Sequence, residues 1–376
     1  MRRYDMLVKE NKAWIDSLWE KFENKLSKTT IKSRDKIPYS IVEGNHDNQA
    51  DDANITWWTN GFWGGLNALA YAQTKMNSYL LTAKRSEELL DACFDKTDKL
   101  DHDVGFLWHI LSGAIYRLTG DSESKKRNLF MADFLKNRFN EKGGFIRCWN
   151  GEEKRAWTII DCMMNLSLLY WASEETGDPS YKQVAIRHAD MTMNDHIRKD
   201  GSVVHIVEHE LDKVGVVSHY GGQGYDKNSS WSRGTAWAVY GFVLSYLHTG
   251  EKRYLDTAEK VADYFIESIK KTDYLPLADF KAPPTPIVYD ASAGVIAACG
   301  LIELAKATNK ENYLISAIHI LKKLEKDCCD FSENDDSILQ QCSGSYYHCR
   351  HIHLIYGDYF LAEALLKLKG LNFLPW

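Results

Sequence analysis

Apolar and polar positions along this chain sort into two kinds of helix that take turns. Gly61-Phe62-Trp63-Gly64-Gly65-Leu66, Trp237-Ala238-Val239-Tyr240-Gly241 and Ala291-Ser292-Ala293-Gly294-Val295 are apolar on nearly every side. Ala258-Glu259-Lys260-Val261-Ala262-Asp263-Tyr264-Phe265 instead carries one apolar stripe and a charged face. Helices packed on all sides must alternate with helices that face water, which predicts an inner ring inside an outer ring. The expectation is an all-α fold, an (α/α)6 toroid of six helical hairpins forming a single domain over residues 1–376. An open helical solenoid is the alternative.

A short phrase recurs where an apolar helix ends and an amphipathic one begins. It reads Thr74-Lys75-Met76-Asn77-Ser78-Tyr79, Thr119-Gly120-Asp121, Thr176-Gly177-Asp178-Pro179-Ser180-Tyr181, Thr249-Gly250-Glu251-Lys252-Arg253-Tyr254 and Thr308-Asn309-Lys310-Glu311-Asn312-Tyr313. Gly or Asn ends one helix in the left-handed region, an acid or Asn caps the next, and the Tyr is expected to pack back on the junction. With a first amphipathic helix over Tyr4 to Leu26 and a last over Asp358 to Lys369, about twelve helices in six pairs are predicted. Residues Ser27 to Asn54, polar and irregular, read as a loop.

The longest apolar run, Ala156 to Trp171, reads as a core helix with Trp157, Asp161 and Asn165 one above another at four-residue spacing. A carboxylate inside such a helix is driven towards its protonated form, which suits a proton donor near neutral pH; the alternative is a buttress for neighbouring backbone.

Composition adds a cavity to this picture. Hydrophobic residues make up 44% of the chain, and 12 Trp, 20 Tyr and 14 Phe stand beside only 7 Pro, a mix that suits aromatic walls around a sugar ring. The net charge of -6 argues against a broad basic face for nucleic acid or a long anionic polymer, while leaving room for a small acidic ligand. The start, Met1-Arg2-Arg3-Tyr4-Asp5, has no apolar run behind its basic residues, and no segment reads as crossing a membrane. Eight Cys without paired CxxC spacing read as reduced thiols of a cytoplasmic protein.

Four groups could carry chemistry, placed where inner helices begin. Thr56 to Trp63 holds three Trp, of which Trp58 is the stacking candidate and Trp63 a core residue. In Leu100-Asp101-His102-Asp103-Val104-Gly105-Phe106, Asp103 is either an N-cap or a second acid opposite Asp161, whose charge would raise one pKa further. Gly201 to Tyr240 holds His205, His209, His219, Gln223, Tyr225, Trp231, Arg233 and Trp237; Arg233 suits a carboxylate-bearing sugar or a structural acid. The stretch Gly344 to His353 contains Ser345, His348, Cys349, His351 and His353, without a regular zinc pattern, and reads as a polar loop over the cavity mouth.

Together, Trp58-Thr59-Asn60-Gly61-Phe62-Trp63, Leu100 to Leu107, Ile159 to Leu166, Ser230 to Trp237 and Tyr356-Gly357-Asp358-Tyr359 resemble the motifs of unsaturated glucuronyl hydrolases, glycoside hydrolase family 88, in that family's order and over nearly the whole chain. The resemblance implies a six-hairpin toroid that removes a 4,5-unsaturated uronic acid from lyase-generated glycosaminoglycan disaccharides by hydrating the enol ether. It assigns Asp161 as general acid and base and Asp103 as the acid that positions and tunes it. Trp58, Trp149, His205, Gln223, Trp231, Arg233, Trp237 and Ser345 fall at or near substrate-binding positions, and no metal or organic cofactor is implied. The chain departs from the pattern in having one His before Asp103 where relatives often have two. It also has Gly222 before Gln223, where several relatives carry His or Arg, and a shorter His- and Cys-rich loop after Tyr347. An unsaturated rhamnogalacturonyl hydrolase acting on pectin fragments and a non-catalytic helical scaffold are the competing expectations.

Overall fold

The computed structural model describes residues 3–376; Met1 and Arg2 of the N-terminal stretch discussed above lie outside the described residues. Its helices are α1 (Arg3–Glu10), α2 (Lys12–Lys32), α3 (Phe62–Thr74), α4 (Asn77–Leu90), α5 (wide π turns over Gly105–Gly113 continuing as Ala114–Thr119), α6 (Ser122–Lys136) and α7 (Cys162–Thr176). They continue as α8 (Pro179–Asp195), α9 (Ser232–Thr249), α10 (Lys252–Lys270), α11 (Ala291–Thr308), α12 (Glu311–Cys328) and α13 (Ile355–Leu368).

Each odd-numbered helix from α3 to α13 packs on the next odd one, and α13 returns to α3, which closes an inner ring. Every inner helix also packs on an outer one: α3 on α4, α5 on α6, α7 on α8, α9 on α10, α11 on α12, and α13 on α2. Closure in this way is the expected (α/α)6 toroid and leaves no solenoid ends. Burial follows the rings, since α11 and α13 are buried on almost every side whereas α10 and α12 bury one stripe. Residues Ala291–Thr308 are long and apolar enough to cross a bilayer, contrary to the sequence reading. Here they form a core helix of the ring.

The recurring phrase does what its chemistry suggests, with one change. Lys75, Gly120, Gly177, Gly250 and Asn309 end the inner helices in the left-handed region. Each preceding Thr hydroxyl donates to the carbonyl four residues back and accepts the N–H two residues on, as at Thr249 with Ser245 O (2.6 Å) and Glu251 N (3.2 Å). Asp121 and Asp178 cap the following helix, but Met76, Glu251 and Lys310 make no side-chain cap.

The Tyr, rather than folding onto its own junction, donates to an acid of the preceding outer helix. The pairs are Tyr79 to Glu23, Tyr181 to Asp133, Tyr254 to Asp190 and Tyr313 to Glu259. In α6, Ser124 stands at the same distance from its Thr and donates to Glu87 (2.9 Å). Trp14 of α2 closes the circuit on Glu325 of α12 (2.6 Å). The outer ring is thereby joined by side chains that each satisfy a polar group against the next helix.

Two local expectations are corrected. The first outer helix runs to Lys32 and is preceded by a separate α1, and the following loop holds a small hairpin, β1 (Ile41–Val42) with β2 (Asn45–His46). A second hairpin pairs β3 (Phe139–Asn140) with β4 (Phe145–Ile146). The run from Ala156 is not one helix: β5 (Trp157–Ile159) pairs with β6 (Ile206–His209), which pairs with β7 (Val216–Tyr220), and α7 begins only at Cys162. Two β-branched residues, Thr158 and Ile159, and a distant partner strand, Ile206 to Glu208, override the helical pattern there.

Where α9 crosses α7, a Cβ on Gly241 would lie 2.5 Å from Met163 Cβ and 3.0 Å from its carbonyl carbon. Gly241→Ala gains helix propensity but overpacks backbone against backbone, so a net loss of about 1–3 kcal/mol is expected. Chemical denaturation of the two proteins measures it, and equal midpoints would show that the ring contact yields.

Candidate active site

Strand pairing sets the centre of the site. Ile159 lies opposite Ile206, and Ile160 N donates to His205 O (3.1 Å), so Asp161, just past the end of β5, comes alongside the side chain of His205, just before β6. His205 Nε2 stands 3.7 Å from Asp161 Oδ1. Asp161 is the residue before α7 yet makes no capping bond to that helix's N–H groups, which leaves its carboxyl free to face the cavity. Asn165, one turn on, does lie above it; Trp157 is on β5 instead and stacks on Tyr220 (4.3 Å between rings).

Burial pushes the Asp161 carboxyl up from 3.8 to about 7, against the opposing pull of the Arg233 guanidinium and the nearby Trp237 indole. That indole N–H faces the carboxyl without closing a hydrogen bond of ordinary geometry. Burial has the opposite effect on His205, whose pKa falls to about 3, so its ring is neutral at pH 7. His205 Nδ1 lies 2.9 Å from Gly221 O, and the ring leans on Trp231 at 4.2 Å. With Nδ1–H given to that carbonyl, Nε2 presents a lone pair towards a protonated Asp161.

Asp103 arrives from the other side, ahead of the π turns of α5. It is not the N-cap: its side chain makes no capping bond, and Asp101 Oδ1 accepts its N–H at 3.0 Å. Its carboxyl instead accepts Asn165 Nδ2 (3.2 Å) and lies 3.3 Å from His102 Nε2. Burial, and then the charges of Asp101 and Asp161, hold its pKa well above the ordinary carboxylate range. Asn165 anchors the Asp103 carboxyl to α7: its Nδ2 also reaches the backbone carbonyl of Asp161 (3.5 Å), while its Oδ1 accepts Phe106 N (3.0 Å). This junction requires Gly105, because a Cβ there would stand 2.5 Å from Asn165 Oδ1.

Both acids line one cleft of about 480 Å³ whose walls include Trp57, Trp58, Trp149 and Gln223, a size suited to a small-molecule ligand. Trp58 sits on Phe106 (5.5 Å) and Tyr356 (5.0 Å), which fixes its ring at the head of the inner helices. Trp63 is buried, as expected of a core residue.

The other predicted ligands stand behind this wall. Trp231 and Trp237 are buried, and their indole N–H groups have no acceptor among the described residues. Arg233 is no free carboxylate clamp. One terminal nitrogen donates to Asp290 Oδ2 (2.9 Å) and Ser343 O, and the other to Gly344 O (2.7 Å). It therefore ties the loop before α13 to the ring and acts on Asp161 through its charge. Ser345 sits in that loop and closes a turn with His348, while the neighbouring Tyr346 N–H docks on Gln223 O (2.8 Å).

His348, Cys349, His351 and His353 do not converge. His353 bonds Asp358 (2.9 Å) and His351 accepts Tyr289 N (3.0 Å). Among the described residues, one set with metal-ligand character lies within 4.8 Å: Asp101, His102 and Asp103. These groups are already engaged, with His102 Nδ1 3.1 Å from Cys148 O and Asp101 on the Asp103 N–H. Residues that the sequence reading did not assign to the site include Asn165, Trp57 and Lys99, although an Asn one turn beyond the candidate acid in an apolar helix was a usable signal.

Comparison with known proteins places this arrangement. Residues 24–272 match Glycosyl Hydrolase Family 88. The chain is 32% identical over 351 residues to the unsaturated glucuronyl hydrolase of Bacillus sp. (strain GL1), covering 89% of this chain and 91% of that protein. It is 32% identical over 325 residues to the unsaturated chondroitin disaccharide hydrolase of Streptococcus pneumoniae, covering 83% and 82%. The crystal structure of unsaturated glucuronyl hydrolase from Bacillus sp. GL1 superposes with a TM-score of 0.86 at 29% identity, over 93% of this chain and 97% of that one. A mutant of the Streptococcus agalactiae enzyme complexed with dGlcA-GalNAc6S gives 0.82 at 26% identity, over 96% and 93%. With relatives above 30% identity along most of both chains, this chain belongs to Glycosyl Hydrolase Family 88 and is a glycoside hydrolase.

Proposed function

We propose that the protein is an unsaturated glucuronyl hydrolase, with Asp161 as the proton donor and acceptor and Asp103 as its partner, acting on lyase-generated glycosaminoglycan disaccharides. The observation that carries this reading is a carboxyl group poised near neutral pH, beside a neutral imidazole and a second acid, in a cleft edged by indoles. The chondroitin disaccharide hydrolysed by one relative and the dGlcA-GalNAc6S bound by a mutant of another support the glycosaminoglycan class over pectin fragments.

The chemistry follows from what an enol ether needs. C4 of the C4=C5 double bond is nucleophilic because the ring oxygen donates into it, so a protonated carboxyl can deliver its proton there. Positive charge then rests on C5 and the ring oxygen, and Asp161, now an anion, stabilises that charge and takes a proton from the water that attacks C5. The C5 hemiketal opens by breaking C5–O5; the resulting C1 hemiacetal expels the aglycone hydroxyl and leaves an aldehyde. One water is consumed, and the anomeric carbon is never attacked. Trp58 and Trp149 offer ring faces for the sugars. The unpartnered Trp231 and Trp237 N–H groups and the Arg233 charge favour a uronate carboxylate nearby.

Three outcomes are expected. Loss of the enol ether's near-ultraviolet absorbance should be seen with unsaturated chondroitin disaccharides and not with unsaturated rhamnogalacturonyl ones, and Asp161→Asn should lower its rate at least about 10³-fold with unchanged circular dichroism. A wild-type rate in that variant removes the assignment. Turnover should also decline as pH rises past about 7, where Asp161 loses its proton.

The same proton affects stability. Between the unfolded value near 3.8 and the folded value of about 7 the native chain holds a proton that the unfolded chain releases, so stability falls as pH rises through that window. Asp161→Asn should therefore be more stable than wild type at pH 8, by at most about 4 kcal/mol, and the advantage should vanish near pH 4. Denaturant melts at the two pH values check this; a pH-independent difference would place the proton elsewhere. Asn165→Ala, which frees Asp103 and Phe106 N, should cost about 10- to 100-fold in kcat with a smaller change in KM. Steady-state kinetics decide the split.

A further inference from the structure

Two cations at the cleft make no ion pair within 4.0 Å among the described residues. Lys99 lines it directly. Lys154 holds its ammonium 5.5 Å from the Trp149 ring and 5.9 Å from the Trp157 ring. Trp149 is a wall of the cleft and meets Trp157 at 6.3 Å and 63°. Tyr220 covers Trp157 at 4.3 Å. Among the described residues no carboxylate oxygen lies within 4.0 Å of either ammonium. Neighbouring cations are committed: Lys96 pairs with Asp52 and Arg155 with Glu152.

An ammonium set against two indoles is fixed in place and partly stripped of water, so its charge acts more strongly on a ligand than that of a free surface lysine. The need for such a charge is local. Asp101, Asp103 and Asp161 all line the cleft, and whichever of them is ionised repels an acidic group entering it. Trp149 stands edge-on to His102 at 6.2 Å, one ring outward from Asp103, which is where sugars beyond the reacting residue would lie.

Resting on the functional reading above, we propose that Lys154 and Lys99 form an anion-reading rim that recognises a sulfate or carboxylate on the sugars beyond the scissile linkage. Lys154, positioned by its indole pair, sets the preference; Lys99, exposed on the segment whose Asp98 and Leu100 carbonyls accept Asn150 Nδ2, adds charge.

The test compares kcat/KM on unsaturated chondroitin disaccharides without sulfate, with 4-O-sulfate and with 6-O-sulfate, and on the non-sulfated unsaturated tetrasaccharide, which carries a further carboxylate. Lys154→Met keeps the apolar stem on the indoles and removes the charge. It should lower kcat/KM about fivefold on the anionic substrate the wild type prefers, the size of one exposed ion pair, and leave the non-sulfated disaccharide unchanged. Lys154→Arg should restore the preference, and high salt should erase it in the wild type. The responding arm tells sulfate from carboxylate. An anionic-to-neutral ratio identical in wild type and Lys154→Met overturns the proposal. If the wild type turns over none of the four, the enzymatic reading fails separately, and tryptophan-fluorescence titration with the same sugars decides the rim. Equal affinities in wild type and Lys154→Met discard it, and weaker binding of the anionic sugar alone upholds it.

Discussion

Keeping one carboxyl group away from water is the constraint on which the site depends. Left exposed, Asp161 would be an anion at neutral pH and of no use as a proton donor; desolvation is the largest influence on it, and the chain supplies that desolvation with the ring itself. Inner helices α5, α7 and α9 meet around the acid, with Phe106 against Trp237 (5.2 Å) and His205 against Trp231 closing the gaps. A toroid suits this purpose because every inner helix begins at the same end, so residues distant in sequence reach one cleft while their helices bury each other.

Desolvation alone would push the acid too far, and buried positive charge limits the effect. Arg233 is itself almost fully buried and survives there because Asp290 and two backbone carbonyls satisfy its guanidinium. Such a pair is a weak source of net stability, but removing either partner leaves an unpaired charge in the core. Its value lies in position. The same contacts hold the Ser343–Gly344 backbone, and that loop in turn rests on Gln223. One side chain thus tunes the acid and fixes part of the cleft rim.

Much of the fold could be read from the chain because its determinants are local. The Thr–Gly junctions, the aromatic-rich inner helices and the striped outer ones each act within a few residues, so their pattern announces six hairpins. The strands were not legible for the opposite reason: Trp157 to Ile159 becomes β5 through pairing with Ile206 to Glu208, a contact that no local pattern encodes. That pairing also decides the site, since it sets His205 beside Asp161. Of the predicted ligands, Trp58, Trp149 and Gln223 reach the cleft wall, whereas Arg233 answers a structural acid, the competing expectation for it. An Arg among tryptophans suits either role, and only the identity of its partner separates them.

The junction between the two acids shows why side-chain type mattered less than backbone shape. Asn165 can span Asp103 and Phe106 N because Phe106 lies in the first turn of α5, where backbone N–H groups have no partner within the helix, and because Gly105 leaves room for the close approach to α7. Wide turns such as those that open α5 are frequent at functional sites. Here Phe106 N donates to Asn165 Oδ1, so the helix start and the amide that holds the Asp103 carboxyl satisfy each other. Without Phe106 N as its donor, Asn165 Oδ1 would lose the contact that orients the amide. With that amide free to rotate, no donor would be fixed on the Asp103 carboxyl, and its position relative to Asp161 would no longer be set by α7.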